Sequence, residues 1–494
     1  MPETTLEIPA PEGLEYRHYQ REGIEFASAH DRTLNGDEMG TGKTIQAIGT
    51  INANPDIHDV LIICPASLRV NWARELDRWL VRHHLITVVQ GSQAIPYETG
   101  FDPVSYHQSS TVNVHIINYD VLTRWKELTH GGTWDLLIAD ECQALKNAKA
   151  QRTKAVLGGK GQRRIPAKRA LFLTGTPILN RPVELWTLMK YLDPQGMGRD
   201  WFKFVKRYCA GYKGKWGWDV SGASNLDELQ AKLRDGIMVR RLKKDVLKEL
   251  PPKRRQVIEL PMDKWAKEVM QAEMASLELY EPELDELRAR VEEAKITGNQ
   301  DEHDEAVKAL KAGKQVAFEA FSIVRHATAL AKVPQVVAHI WDVLESENKV
   351  VIMAHHKDVI DAIRLEFEEP ENEGFVTTLT GDTHMRDRQA NIDMFQNDPK
   401  CRLFIGSIKA AGVGITLTAA SHIIFAELDW TPGWMSQCED RVHRLGQEDS
   451  VLIQHLVLEG SLDANMAHKL IKKQEVITNA LDGADEKAFN VDYL

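Results

Sequence analysis

Short runs that are apolar throughout recur along the chain: "VLIICPAS", "VHIINYD", "LLIADE" and "ALFLTGTP", then much later "VVIMAHH", "RLFIGS", "HIIFAELD" and "VLIQHLVLEG". Each ends at a polar or glycine-bearing turn and none alternates, which is the pattern of strands buried on both faces of a parallel sheet. Amphipathic stretches such as "SLRVNWARELDRWLVRH" and "HKDVIDAIRLEFEE" lie between them, so strand and helix alternate. The alternation occurs twice and predicts two α/β blocks, roughly over 30–190 and 335–475. From Asp263 to about Lys332 the chain is rich in Ala, Leu, Glu and Lys, with "ITGNQDE" as a turn, which predicts a helical hairpin with solvated faces. The glycine- and tryptophan-rich "GYKGKWGWDVSGASN" reads as an ordered loop. The resulting boundaries are 1–195 and 335–475 for the two blocks, 196–262 for a first protrusion and linker, 263–334 for a second, helical protrusion, and 476–494 for a tail.

Bulk properties narrow this picture. A chain of 494 residues exceeds a single core. A formal charge of −11 argues against a protein that coats nucleic acid by bulk attraction, so a polyanion would have to be gripped by a local groove. Cys64, Cys142, Cys209, Cys401 and Cys438 are dispersed without metal-ligand spacing and are expected to be reduced thiols of an intracellular protein. The N-terminus lacks the form of a secretory signal, and no apolar run is long enough to span a membrane.

The sharpest chemical signal is "GDEMGTGKTIQAI". Here Asp37, Glu38, Met39, Gly40, Thr41, Gly42, Lys43 and Thr44 form a loop that opens a helical pattern. Backbone N–H groups and a helix N-terminus then face phosphate oxygens, Lys43 adds a cation and Thr44 offers a hydroxyl to Mg²⁺. The loop fits ATP, with one departure: the usual spacing places glycine where Asp37 stands. In "WDLLIADECQALKN", Asp140 and Glu141 follow an apolar strand. Acids commonly end strands, so either alone says little. Together with "GTGKT" they form a metal and water box, in which Asp140 holds Mg²⁺ and Glu141 readies the attacking water. In "QCEDRVHRLGQ", Arg441 and Arg444 are three apart, so on a helix they share one face and can serve as arginine fingers.

The ordered set "YRHYQ", "DEMGTGKT", "LIICPASLRVNW", "IINYD", "DECQ", "LTGTPILN", "IGSIKAAGVGITL", "ELDWTPG" and "QCEDRVHRLGQ" resembles the motifs of the Swi/Snf family of helicase-like ATPases in superfamily two. The resemblance runs from about Gln20 to Gly460. The stretches "RYCAGYKGKWGWDVSGASNLDEL" and "IMVRRLKKDVLKELPPK" are similar to its annealing-helicase, fork-remodelling branch. This implies an α/β fold of two RecA-like lobes with parallel sheets and helical protrusions inserted between them, ATP in the cleft, and duplex DNA across both lobes. It implies that Gln20 reads adenine, that Ser67, Arg69 and Asn118 track one DNA strand, and that Ser407, Lys409, Gly412, Thr416 and Trp430 contact DNA from the second lobe. It assigns Thr174, Thr176 and Gln437 to coupling. Gln143 stands where the family usually has histidine, so coupling through that position is expected to be retuned.

The function implied is an ATP-dependent double-stranded DNA translocase, using ATP and Mg²⁺, that remodels double-stranded or branched DNA by annealing, branch migration or protein displacement. Rival readings are a non-catalytic DNA-binding scaffold and a strand-separating or RNA-directed helicase. No recruitment module is evident, which suggests a bare, monomeric motor of a cytoplasmic, bacterial or viral setting.

Overall fold

The computed structural model describes residues 6–97, 111–159, 161–178, 181–214, 217–262, 264–297, 300–368, 373–412, 414–429, 431–461, 464 and 491–493. They divide into two compact units. The first holds the described residues of Met1–Gly211 and Val220–Leu250, the second those of Tyr212–Asp219, Pro251–Gln474 and Glu486–Leu494.

The first unit is built on an eight-stranded sheet. Its strands are β1 (Arg32–Asn35), β2 (Asp59–Cys64), β3 (His84–Gln90), β4 (Gln93–Pro96), β5 (Val112–Asn118), β6 (Trp134–Asp140) and β7 (Ala167–Leu173). After the short hairpin of β8 (Tyr212–Gly214) and β9 (Gly217–Asp219), which belongs to the second unit, β10 (Met238–Val239) completes it. The order is β10-β1-β7-β6-β2-β5-β3-β4, parallel except for the β3–β4 edge. Every residue of β6 is buried, which is why residues 136–139 read as an apolar run. The neighbours β1, β7 and β6 end in register, Asn35 beside Leu173 and Leu173 beside Asp140. Three chemistry-bearing loops therefore leave one sheet edge side by side, as ligand sites in open α/β sheets do.

The second unit has a seven-stranded sheet from β11 (Lys253–Leu260), β12 (Val350–Ala354), β13 (Val376–Leu379), β14 (Leu403–Ser407), β15 (His422–Phe425), β16 (Val451–Leu458) and β17 (Val491–Tyr493). Its order is β13-β14-β12-β15-β16-β11-β17, all parallel. Alternate residues feed two separate clusters: Val351, Met353, Phe404 and Phe425 in one, Val350, Ile352, Ile405 and Ile424 in the other. Both faces are thus covered. Two long helices, Lys264–Thr297 and Gln300–Ala331, form the helical insertion, and residues 298 and 299 of its turn lie outside the described residues.

Two expected boundaries change. The span 196–262, read as protrusion and linker, contributes β10 to the first sheet and β11 to the second. The tail contributes β17.

Candidate nucleotide site and DNA-tracking loops

After β1 the chain turns through Gly40 and Gly42, both at positive φ (81° and 82°), where glycine escapes the steric cost other residues meet. Gly42 is also required by space, since a Cβ there would stand 2.5 Å from the Gln20 amide nitrogen. The helix Lys43–Ala53 then begins with no side-chain cap, leaving its first N–H groups for an anion. Lys43 Nζ donates to the carbonyls of Asp37 (2.8 Å) and Glu38 (3.1 Å). Thr44 is half-buried at the mouth of the helix, and Met39 packs against Gly175. Thr41 is wholly buried, and its carbonyl accepts from Tyr19 Oη (2.9 Å) and Gln20 Nε2 (3.2 Å). Gln20 Oε1 accepts from Arg17 N at 2.9 Å, so one end of this amide braces the loop and the other caps the start of its own helix.

Asp37 is the largest surprise of the loop. Its carboxylate is wholly buried and accepts from Arg241 N, Nε and Nη2 and from Gln46 Nε2, at 2.9, 3.0, 2.6 and 3.0 Å. A side chain turned inward in this way does not meet phosphate; only the Asp37 backbone lines the loop. Arg241 and its neighbour Arg240, which donates to Gly36 O (2.6 Å) and Gly175 O (3.3 Å), carried no role in the sequence reading. The adjacent arginines in "MVRRLKKD" were the available signal.

At the end of β6, Asp140 Oδ2 accepts from Trp72 Nε1 at 2.8 Å and Oδ1 from Glu141 N at 2.9 Å. Burial first, then the charge of Glu141, pushes the Asp140 carboxyl well above the usual carboxylate range, against the Trp72 hydrogen bond and the cation of Lys43. A carboxylate held this dry beside a second one suits a cation, and carboxylate and hydroxyl oxygens such as those of Asp140 and Thr44 are the donors Mg²⁺ takes alongside phosphates and water. Among the described residues no side-chain cluster would hold a metal unaided. Glu141 sits in the left-handed region (φ 50°), an unusual place for a residue with a Cβ and one of the strained positions that gather at functional sites. Gln143 Nε2 donates to Glu141 Oε2 at 2.6 Å, while Gln143 Oε1 is buried without a hydrogen-bond partner. Beside them Thr174 Oγ1 accepts from Thr176 N at 3.0 Å, closing the turn after β7.

The other first-unit candidates also meet. Arg69 Nη1 donates to Asn118 Oδ1 at 3.2 Å and to the carbonyl of Val89, and Nε donates to Ala66 O at 3.2 Å, with half-buried Ser67 in the same turn. Arg69 thus ties β3 and β5 to the "CPAS" turn. Its guanidinium is engaged with protein, which departs from a side chain presented to DNA.

In the second unit, Arg441 Nε and Nη2 both donate to Gly412 O (3.1 and 2.7 Å). Arg444 Nη1 donates to Ile415 O (3.1 Å) and Thr416 Oγ1 (2.9 Å), and buried Gln437 lies against Gly412. The arginines do not share a helix face as expected: the helix Pro432–Val442 ends before Arg444, and Gly446 (φ 94°) turns the chain. They converge because both hold the loop after β14. Ser407 precedes the short helix Ile408–Ala411, on which Lys409 is exposed and near enough to Asp429 to help hold that carboxyl down. Glu427 was also missed; it accepts from His355 N and His356 N at 2.8 Å each, closing the start of the helix Lys357–Leu365 with an internal carboxylate. Trp430 lies outside the described residues.

All five cysteines are free and buried. No helix among the described residues is long and apolar enough to cross a membrane.

The chain resembles known proteins over nearly its whole length. The chain is 34% identical over 496 residues to the SWI/SNF-related matrix-associated actin-dependent regulator of chromatin subfamily A-like protein 1 of Xenopus tropicalis, covering 99% of this chain and 47% of that protein. It is 34% identical to the DNA annealing helicase and endonuclease ZRANB3 of Homo sapiens, over 95% of this chain and 40% of that one. Its Mus musculus counterpart is 36% identical over 95% and 41%. The chain therefore spans less than half the length of these relatives, and their animal origin lends no support to a bacterial or viral setting. The SNF2-related domain matches residues 19–316 and the helicase conserved C-terminal domain residues 331–446, so the chain belongs to the SNF2-related family, with two RecA-like lobes.

Proposed function

We propose that the chain is a DNA-dependent ATPase that translocates along double-stranded DNA and remodels it by annealing, branch migration or displacement of bound protein, in repair or at replication forks. The observation that carries this reading is the meeting of Lys43, after β1, with Asp140, Glu141 and Gln143, after β6, at the same sheet edge on either side of β7. A scaffold without turnover has no use for a strained glutamate held by a glutamine beside a buried aspartate.

In this reading Lys43 releases the Asp37 and Glu38 carbonyls to take the β- and γ-phosphates, and the helix N-terminus cradles them. Thr44 and Asp140 would hold Mg²⁺, which would supply charge neutralisation to the bound phosphates. Glu141, oriented by Gln143, takes a proton from the attacking water. Arg444, and Arg441 with it, answers the charge that develops on the γ-phosphate. Thr174, Thr176, Gln143 and Gln437 pass the state of the site to the DNA path. Ser67, Asn118, Ser407, Lys409, Gly412 and Thr416 grip phosphates without reading bases, as a motor must. The names of the annealing-helicase relatives support the annealing activity.

Phosphate release is the first test. Duplex DNA should stimulate it strongly, and equal, negligible release with and without duplex would end the ATPase reading. Displacement of a triplex-forming strand should accompany it; forked-duplex unwinding without triplex displacement contradicts translocation on duplex.

A further inference from the structure

The stretch Gly236–Lys243 follows the phosphate loop by some two hundred residues, yet it is the wall of that loop. Leu34 N donates to Ile237 O (2.8 Å), Gly36 N to Val239 O (2.8 Å) and Glu38 N to Arg241 O (3.0 Å). Lys243 N returns a bond to Glu38 Oε2 at 2.8 Å. The β10–β1 pairing thus continues beyond the strands into the loop itself.

Arg241 is the hub. Its backbone N and Nε reach Asp37 Oδ1, its Nη2 reaches Asp37 Oδ2 and Gln46 Oε1 (3.0 Å), and its Nη1 reaches the Tyr19 carbonyl and Glu22 Oε2 (3.2 Å). One guanidinium joins the helix His18–Ala29, the loop and the loop's own helix. Asn35 completes the frame: its Oδ1 accepts from Asp37 N (3.0 Å) and its Nδ2 donates to Gln46 Oε1 (2.9 Å). Asp37, gripped at its carboxylate, presents its carbonyl to Lys43 Nζ. Where the usual loop has glycine, this one has a residue whose backbone is set through its side chain.

We propose that Arg241 is a positioning residue for ATP: its two-pronged grip on Asp37 fixes the Asp37 and Glu38 peptide planes, and so where Lys43 and the loop N–H groups stand when triphosphate arrives. The proposal rests on the reading of this loop as the phosphate site. A planar fork matched to a carboxylate sets orientation, which a lysine ammonium at the same place does not. The competing account is that the pair only neutralises a buried acid.

Two variants separate these accounts, because removing one charge alone leaves a buried ion that can itself prevent folding. Arg241→Lys keeps the charge and loses the fork. Asp37→Asn combined with Arg241→Gln removes both charges and keeps hydrogen-bonding groups. Steady-state hydrolysis with saturating duplex and binding of a fluorescent ATP analogue are measured on each, with thermal unfolding in the absence of nucleotide as the fold control. We expect the KM for ATP and the analogue Kd to rise roughly tenfold in each folded variant, with kcat within about twofold of the parent. A parental KM and Kd in either folded variant overturns the positioning role, and if Arg241→Lys does not fold, the double substitution decides. Lys43→Ala is the control on the reading beneath: normal turnover there removes the phosphate loop and the proposal together, whereas a dead Lys43→Ala beside a parental Arg241→Lys removes the proposal alone.

Discussion

Gln143 Nε2 lies 2.6 Å from Glu141 Oε2 and donates to it, while its own Oε1 has no partner. A neutral amide therefore orients the carboxylate proposed to activate water, without the proton exchange that an imidazole could join. Gln143→Ala frees Glu141 to leave its productive rotamer. We expect kcat to fall about tenfold, or roughly 1.4 kcal/mol of barrier, with the KM for ATP changed less than twofold. Gln143→His should retain more activity than the alanine variant because it restores a donor. Steady-state phosphate release at saturating duplex checks both, and equal kcat in parent and alanine variants would remove Gln143 from the site.

Glu141→Gln keeps the size of the side chain and removes its basicity. The substitution should leave ATP and duplex binding intact and lower turnover by at least about a hundredfold, the scale of a lost general base. Filter binding of nucleotide and DNA beside phosphate release makes the comparison. Normal hydrolysis would take Glu141 out of the catalytic role.

The central strands were legible because they are sandwiched: β6 and β12 are buried at every position, so their runs are apolar apart from Asp135 and the terminal Asp140. Strands one place in from the sheet edges were not. β1 reads Arg-Thr-Leu-Asn and β11 reads Lys-Arg-Arg-Gln-Val-Ile-Glu-Leu, and their polar residues look like linker until long-range contacts satisfy them, as Glu439 does for Lys253 and Arg255. The glycines, Lys43, Asp140 and Glu141 stood out because their chemistry depends on residue type at a fixed spacing. The inward turn of Asp37 did not, since its partner Arg241 is distant in sequence and only the fold brings them together. The same limit hid the end of the helix before Arg444, where a turn set by Gly446 replaced the expected helix face.

Arg441 and Arg444 are distinguishable by their surroundings. Arg441 is buried and places two nitrogens on Gly412 O, so Arg441→Ala leaves that carbonyl and a cavity behind. It should lower the unfolding free energy of the second unit by about 2–3 kcal/mol. Arg444 is half-buried and bonds to Ile415 O and Thr416 Oγ1. Arg444→Ala should cost about 1 kcal/mol of stability or less and lower kcat far more than ATP affinity, as loss of a transition-state contact does. Thermal melts and steady-state kinetics on both variants check this; unchanged turnover in Arg444→Ala would refute the finger assignment.

Acid should weaken the second unit in two stages. His455 Nε2 is sealed from solvent without a hydrogen-bond partner, and burial lowers the imidazole from 6.5 to about 4. The unfolded chain binds that proton first, so stability falls as pH drops from 6.5 toward 4 and this contribution then levels off. Burial would raise the nearby Glu439 carboxyl, but Arg255 and Lys253 outweigh it and hold it at about 2, against 4.5 in the unfolded chain. Its contribution is full above pH 4.5 and is lost as pH falls through 2, after the histidine has done its part. Each group accounts for on the order of 3 kcal/mol across its window. Urea unfolding of the parent at pH 7, 5.5 and 4.5 should show the first stage, and His455→Gln should flatten it, because glutamine does not titrate there. Equal loss of stability in parent and variant between pH 6.5 and 4.5 would show that other groups carry the acid sensitivity.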